Sequence, residues 1–461
     1  MELFFPIPGL ILLFAAVICL FWAQLFPNRR GLALICLFTL LALAVVSSRV
    51  GGIGGLSFDR LSNFGFSLVI IFQIFILGIL KIFMDQTNSK DLFVYFFFVT
   101  TTFGLYLSVH SYNLLAFFVG LELTLISLLF LGLSSQKKRT IEAGYRFMFH
   151  NLVGTFFLVL VILYFYSHFE TLQLPAQSIS LSSAQTIPII LLFLGIAYKI
   201  GLGPFYFWHL DWLTAAPMPI TVIMSTSYRI ALLFFLFRLF RIYLPQVSPQ
   251  WLVVVAGLSL FSLTVPLLHA LGQTNFKRGF SIFLFGQLGL FFLPLALQPV
   301  EAQPVVLFIL LTLLAGLVGL IALVALYNPG DRKELHEIDP GSSKELYHNR
   351  FSWAFLWLSL GLLPPTVGFV IKIILADVFV ILPPIFYFLL FLSGYLLLVG
   401  FCMKSAINCP VAMKTATTEG GPSFNGKIFL KLSLSGSIFL TAGLLFTFEP
   451  VFDYLRYLLI Y

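Results

Sequence analysis

Ala197–Trp208 reads AYKIGLGPFYFW. A lone lysine, Lys199, sits there inside an apolar stretch that glycine and proline interrupt four residues later. Gly361–Asp377, GLLPPTVGFVIKIILAD, repeats the theme with Lys372. An ammonium at the centre of a bilayer costs at least about 2.5–3.5 kcal/mol on insertion scales. Such a group persists where protein or trapped water solvates it, and the common reason is ion or proton movement. A buried lysine is also able to lose its charge. Two titratable cations beside two broken helices therefore point to a proton path.

The rest of the chain reads as membrane protein. Of 461 residues, 60% are hydrophobic and 10% charged, with mean hydropathy +1.04. A soluble chain carries about 25% charge. The expected fold is an all-α polytopic membrane protein with about fourteen transmembrane helices. The spans are near 3–25, 31–49, 62–84, 92–110, 112–133, 145–166, 188–206, 218–240, 250–271, 279–298, 303–327, 351–383, 384–403 and 428–448. The 351–383 span is too long for one straight helix, so a break is expected at Pro364 and Pro365. Threading from an outer N-terminus puts Arg49, Arg60, Arg238, Arg241 and Arg456 outside and Lys199, Arg229 and Lys372 within the membrane. The remaining eighteen of 26 Lys and Arg fall inside, as the positive-inside rule demands. The net charge of +8 thus belongs to short inner loops and implies no nucleic-acid partner. Met1–Phe5 lead straight into the first span, so no cleaved leader is expected. Cys19, Cys36, Cys402 and Cys409 lack metal spacing and no glycine-rich nucleotide motif opens a helix. No cofactor and no metal are expected in this chain.

At 1.5 Å per residue, Glu122, Lys199, Arg229 and Lys372 each fall about 15 Å from a span end. Ionisable residues from four helices at one depth must face each other or a hydrated cavity. These four are the candidate proton path. For one buried pair a structural role weighs evenly with a functional one, but a row of four favours transport. His209, after the broken span, and Asp377, five residues past Lys372, are candidate helpers toward the inner and outer sides. His110 and His168 lie near helix ends, where an interfacial role is the plain expectation. His150 and His269 read as hydrogen-bonded helpers. The breaks at Gly203–Pro204 and Pro364–Pro365 free backbone groups that transporters use to place hydration at mid-depth. Lys199 and Lys372 are five spans apart, on helices of opposite direction, as two inverted five-helix repeats would place them. The implied organisation is 1–91 (N-terminal helices), 92–240 (first repeat), 250–403 (second repeat) and 404–461 (inner loop and last helix).

At these residues the chain resembles the antiporter-like membrane subunits of respiratory complex I. Asn113–Leu128, NLLAFFVGLELTLISL, is similar to that family's helix with a central G-L-E, which places its glutamate at Glu122. Lys199–Pro219 matches K-x-x-x-x-P-F-x-x-W-x-x-D-x-x-x-x-A-P-x-P at every fixed position. P-P-x-x-G-F-x-x-K ends on Lys372. Lys372 in place of a glutamate, and no room for a long C-terminal extension, direct the resemblance to the subunit 2 branch. Arg229 departs from the lysine usual in span 8. Arginine does not deprotonate in proteins, so it supplies a fixed positive field. Tyr206 replaces the family's loop histidine.

The resemblance implies proton translocation coupled to quinone reduction elsewhere in NADH:ubiquinone oxidoreductase. The implied partners are the other membrane-arm subunits and the lipid bilayer. A subunit of a multisubunit cation/proton antiporter is the alternative, and a stand-alone solute carrier a weaker one. Fifty-five phenylalanines fit an AT-rich organelle genome, so the expected location is the mitochondrial inner membrane, with the bacterial plasma membrane as alternative.

Overall fold

The structure is a computed structural model. It describes residues 11–12, 14–19, 29–47, 59–87, 93–174, 183–242, 249–297, 302–327, 344–366, 368–370, 385–412 and 424–460. Among them the regular structure is helical, apart from an isolated antiparallel bridge between Asn113 and Gln173. The helices are α1 Arg29–Ser47, α2 Arg60–Thr87, α3 Phe93–His110, α4 Leu114–Leu133, α5 Lys138–Phe169, α6 Ser183–Ile200, α7 Phe207–Ala215, α8 Met218–Ser225 and α9 Ser227–Ile242. They continue with α10 Pro249–Leu271, α11 Phe276–Gly286, α12 Leu288–Leu297, α13 Gln303–Tyr327, α14 Lys344–Leu360, α15 Ile385–Ala412, α16 Phe424–Phe446 and α17 Phe448–Ile460. Among the described residues, nine stretches are helical, long and apolar enough to cross a membrane, and four shorter apolar helices accompany them. Helices suit such a chain because they satisfy every interior backbone group within the segment.

The chain divides into two compact units: residues 1–84, 88–200 and 211–247, and residues 85–87, 201–210 and 248–461. In the first, α3 and α4 form a tight hairpin. Asn113 caps α4, its side chain accepting from Leu115 N at 2.8 Å. Small residues let the backbones close up: a Cβ on Gly104 would lie 2.6 Å from Gly120 O, and one on Gly120 would lie 2.7 Å from Ser108 Oγ. Thr100 Oγ1 donates to Ser127 Oγ at 2.9 Å one step further along. This contact fixes Glu122, two residues past Gly120. Gly120→Leu is expected to cost about 1–3 kcal/mol through overpacking, read as a lower thermal midpoint in detergent; an unchanged midpoint would show that the hairpin yields freely.

At one end of this unit a polar knot ties α2, α3 and α9 together. Arg238, 3% exposed, pairs with Asp59 at 3.2 Å and donates to Ser111 O at 2.9 Å. Its guanidinium lies 4.9 Å from the centre of the Tyr112 ring. Ser62 Oγ also donates to Asp59. His110, expected at the interface, is instead fully buried, its ring 5.1 Å from Phe66 and 4.7 Å from Tyr106. The fold has drawn the last residue of α3 inward by covering it with aromatic rings. His168 is exposed and stacks on Tyr164 at 4.0 Å.

In the second unit, α10 packs against α12 and α15, and α13 against α14, α16 and α17. Lys404 caps α10, donating to Leu271 O at 2.5 Å and Gln273 O at 3.2 Å. Trp353 Nε1 donates to Ser405 O at 2.9 Å. Helix α17 extends beyond the last expected span, 428–448. Phe448 and Phe452 pack edge-on to Phe308 on α13, whereas Arg456 interrupts the apolar pattern that reading by span length requires.

Candidate functional site

Helix α6 carries Lys199 in its last turn, and the side chain is fully buried. Its Nζ lies 2.7 Å from Glu122 Oε1 on α4, a carboxylate whose side chain keeps 19% of its exposure. Nζ also donates to Asn151 Oδ1 at 2.8 Å and to Thr155 Oγ1 at 3.1 Å, both on α5. The two α5 side chains turn to the carboxylate as well. Asn151 Nδ2 donates to Glu122 Oε2 at 3.1 Å, and Thr155 Oγ1 lies 2.7 Å from Glu122 Oε1. An ammonium has three donors, and three acceptors from two helices meet it here. Space for the lysine stem comes from Gly154, where a Cβ would stand 3.0 Å from Lys199 Cγ. On the neighbouring rung, Tyr198 OH and His150 Nδ1 share a hydrogen bond at 3.4 Å.

Helix α6 ends one residue after the lysine, earlier than the span length predicted. Gly201 takes φ +78°, a left-handed conformation that glycine enters without penalty. The end of the helix leaves carbonyls unpaired, and Tyr228 OH donates to Lys199 O at 3.2 Å. The second unit shows the same device where α14 ends: Tyr395 OH donates to Leu362 O at 3.1 Å and reaches Gly361 O at 3.3 Å. Residues 361–366 are turns there, carrying the exposed Pro364 and Pro365. Gly203 and Pro204 lie in the turn 201–206 of the second unit. Gly203 N donates to Ser262 Oγ at 3.2 Å, whose hydroxyl donates to Phe285 O at 3.1 Å. Tyr206 OH and His269 Nδ1 share a hydrogen bond at 3.3 Å.

Arg229, 5% exposed, is three residues into α9. A further break precedes it, at Thr226 with φ −117° and ψ −86°. No proline or glycine marks this break. Ser225 and Thr226 hydroxyls bond Val222 O at 3.0 and 2.7 Å, the back-bonding by which such side chains bend helices. His209 is 2% exposed and stacks on Trp208 at 3.7 Å. Lys372 and Asp377 lie outside the described residues. The structure thus brings Glu122 and Lys199 together and adds Asn151 and Thr155, which sequence reasoning missed. Their signal was a polar pair at i, i+4 in the apolar run of α5, HNLVGTF.

Fold and site together define a multi-pass helical membrane protein that buries a lysine–glutamate pair within its helices. Residues 111–397 match the model of the NADH:quinone oxidoreductase/Mrp antiporter transmembrane family, more than half of the chain, and the protein belongs to that family. It is 25% identical over 378 residues to NADH-quinone oxidoreductase subunit N 2 of Thermodesulfovibrio yellowstonii, covering 79% of this chain and 82% of that protein. Against NADH-quinone oxidoreductase subunit N of Hydrogenovibrio crunogenus it is 23% identical over 282 residues, 59% of either length. Similar alignments to several such bacterial relatives span about three-fifths of their length. A chain of Thermus thermophilus respiratory complex I shares the fold with TM-score 0.80 at 20% identity, over 97% of this chain and 99% of that one. A chain of the Mrp complex from Dietzia also reaches 0.80, at 15% identity, over 98% and 96%.

Proposed function

We propose that this chain is an antiporter-like proton-translocating subunit of a respiratory NADH:quinone oxidoreductase, and within that family its subunit 2. The observation that carries the reading is the Lys199–Glu122 ion pair, 2.7 Å long and enclosed by three helices, in a chain of this family. Several of its relatives are named as subunit N of NADH-quinone oxidoreductase. The partners in this reading are the other membrane-arm subunits and the surrounding lipid. The chain is a component of the enzyme and holds no cofactor itself. Its phenylalanine content favours the mitochondrial inner membrane; the bacterial relatives favour the plasma membrane as the second location.

The mechanism follows from the residue types. Paired with Glu122, Lys199 holds its proton. When a conformational change at the neighbouring subunit draws the carboxylate away, the ammonium is left in a low-dielectric site that disfavours charge. Arg229, a fixed cation on the same unit, adds repulsion. The proton leaves through water toward Lys372 and the outer side, with Asp377 as an exit group, and re-pairing reloads Lys199 from the inner side past His209. A thousandfold change in proton affinity is worth about 4 kcal/mol. Moving one charge against about 180 mV costs about 4 kcal/mol, so one swing matches one proton. Residues 92–240 and 250–403 act as the two inverted repeats of this scheme.

The second reading, a subunit of a cation/proton antiporter complex, has the Dietzia Mrp likeness in its favour. Purification from native membranes separates the two. Co-purification with flavin and iron–sulfur subunits, and loss of NADH-driven proton translocation when the gene is deleted, are expected. Recovery with antiporter subunits alone, and unaltered NADH oxidation in the deletion strain, would select the second reading.

A further inference from the structure

Thr155 and Asn151 occupy one face of α5, one turn apart, and each touches both members of the ion pair. The Asn151 amide has one orientation that works. Its Oδ1 accepts from the ammonium at 2.8 Å and its Nδ2 donates to the carboxylate at 3.1 Å. Turned over, it would set donors against the ammonium and an acceptor against the carboxylate. Thr155 Oγ1 lies 3.1 Å from Nζ, 2.7 Å from Glu122 Oε1 and 3.0 Å from Asn151 O. Its oxygen accepts from the ammonium while its single proton is available to one of the other two. Two of the three acceptors around a fully buried ammonium are therefore neutral, and both belong to a helix other than the one carrying the carboxylate.

We propose that Asn151 and Thr155 are positioning residues that keep the Lys199 ammonium solvated while Glu122 withdraws, and so set how readily Lys199 gives up its proton. The inference rests on the translocating role proposed above and deepens it. Hydrogen bonds from an ammonium to neutral oxygens are weaker than those to a carboxylate. An opened pair held by Asn151 and Thr155 is thus an intermediate state: the lysine remains in place and is easier to deprotonate. Without them the opening step would leave a buried charge with no solvating group, at a cost large enough to keep the pair shut. The α5 residues also bridge the pair, so movement of α5 relative to α4 and α6 changes both partners at once.

Thr155→Val and Thr155→Ser test this in the assembled complex in native membrane vesicles, with NADH-driven proton translocation as the readout. Valine keeps the shape and removes the hydroxyl; serine keeps the hydroxyl and removes a methyl. Loss of one hydrogen bond to a charged group predicts an approximately tenfold fall in the coupled translocation rate for Thr155→Val, with most of it restored in Thr155→Ser. A packing role predicts the reverse order. Wild-type translocation in Thr155→Val overturns the proposal if Lys199→Ala in the same vesicles is inactive. If Lys199→Ala also translocates normally, the translocating role itself fails. The positioning contact is then decided by infrared spectra of the chain labelled with ¹³C-glutamate, using Glu122→Gln as the blank. A shift of the Glu122 carboxylate band in Thr155→Val supports the contact; an unmoved band overturns it.

Discussion

Lys199→Ala is expected to leave a complex that assembles and reduces quinone but moves fewer protons per electron. The coupled translocation rate should fall at least about tenfold, the effect of roughly 1.4 kcal/mol. The fold should survive because the remaining groups are not stranded. Glu122 keeps Asn151 Nδ2 and Thr155 Oγ1 as partners and retains 19% side-chain exposure. What disappears is the cation that the proposed scheme needs to switch to a neutral base. Lys199→Arg sharpens the comparison. It preserves the positive charge, but a guanidinium does not release its proton. Both variants should therefore fail in translocation, whereas a role limited to neutralising Glu122 would let arginine succeed. Simultaneous measurement of the proton-to-electron ratio and the quinone reduction rate checks this. A normal ratio in Lys199→Ala would remove Lys199 from the mechanism, and a normal ratio in Lys199→Arg alone would reduce it to a fixed charge opposite Glu122.

Much of this architecture is legible in residue order, for definite reasons. Long apolar runs must be helical once they are out of water, because no other open structure satisfies the backbone. A lysine within such a run must find a partner, which directs attention to the carboxylate of another span. The structure places Lys199 against Glu122. Less legible are contacts that depend on helix rotation rather than on composition. Asn151 and Thr155 look like two tolerated polar residues until α5 is turned so that both face Nζ. The break at Thr226 carries neither glycine nor proline, only hydroxyls that turn back onto Val222 O. Tyr228 and Tyr395 supply hydrogen bonds to carbonyls at helix ends from distant points in the chain, and no local pattern marks them. Helix α17 was hidden by Arg456, whose guanidinium lies over the Phe452 ring at 4.8 Å.

Glu122→Ala is expected to be more damaging to stability than Lys199→Ala. It removes the only full negative charge in the network and leaves a fully buried ammonium with two neutral acceptors. Removing one partner of a buried pair costs about 3–5 kcal/mol, which should appear as a lower thermal midpoint in detergent and less subunit in the assembled complex. Replacing both partners, as in Glu122→Leu with Lys199→Met, removes the uncompensated charge, and well-packed apolar pairs of similar volume are often neutral. The double variant should still fall short of wild type by about 1–3 kcal/mol, because both ends of the Asn151 amide lose their partners. Adding Asn151→Leu should recover most of that deficit. Translocation should be absent throughout the series, so stability and activity separate: the apolar triple variant would fold and assemble yet remain inert. If Glu122→Ala matched the stability of wild type, another negative group or water would have to be holding the ammonium, or Lys199 would have shed its proton there. If the double variant were worse than the single, the helices would be held by the shape of these side chains and not by the balance of charge between them.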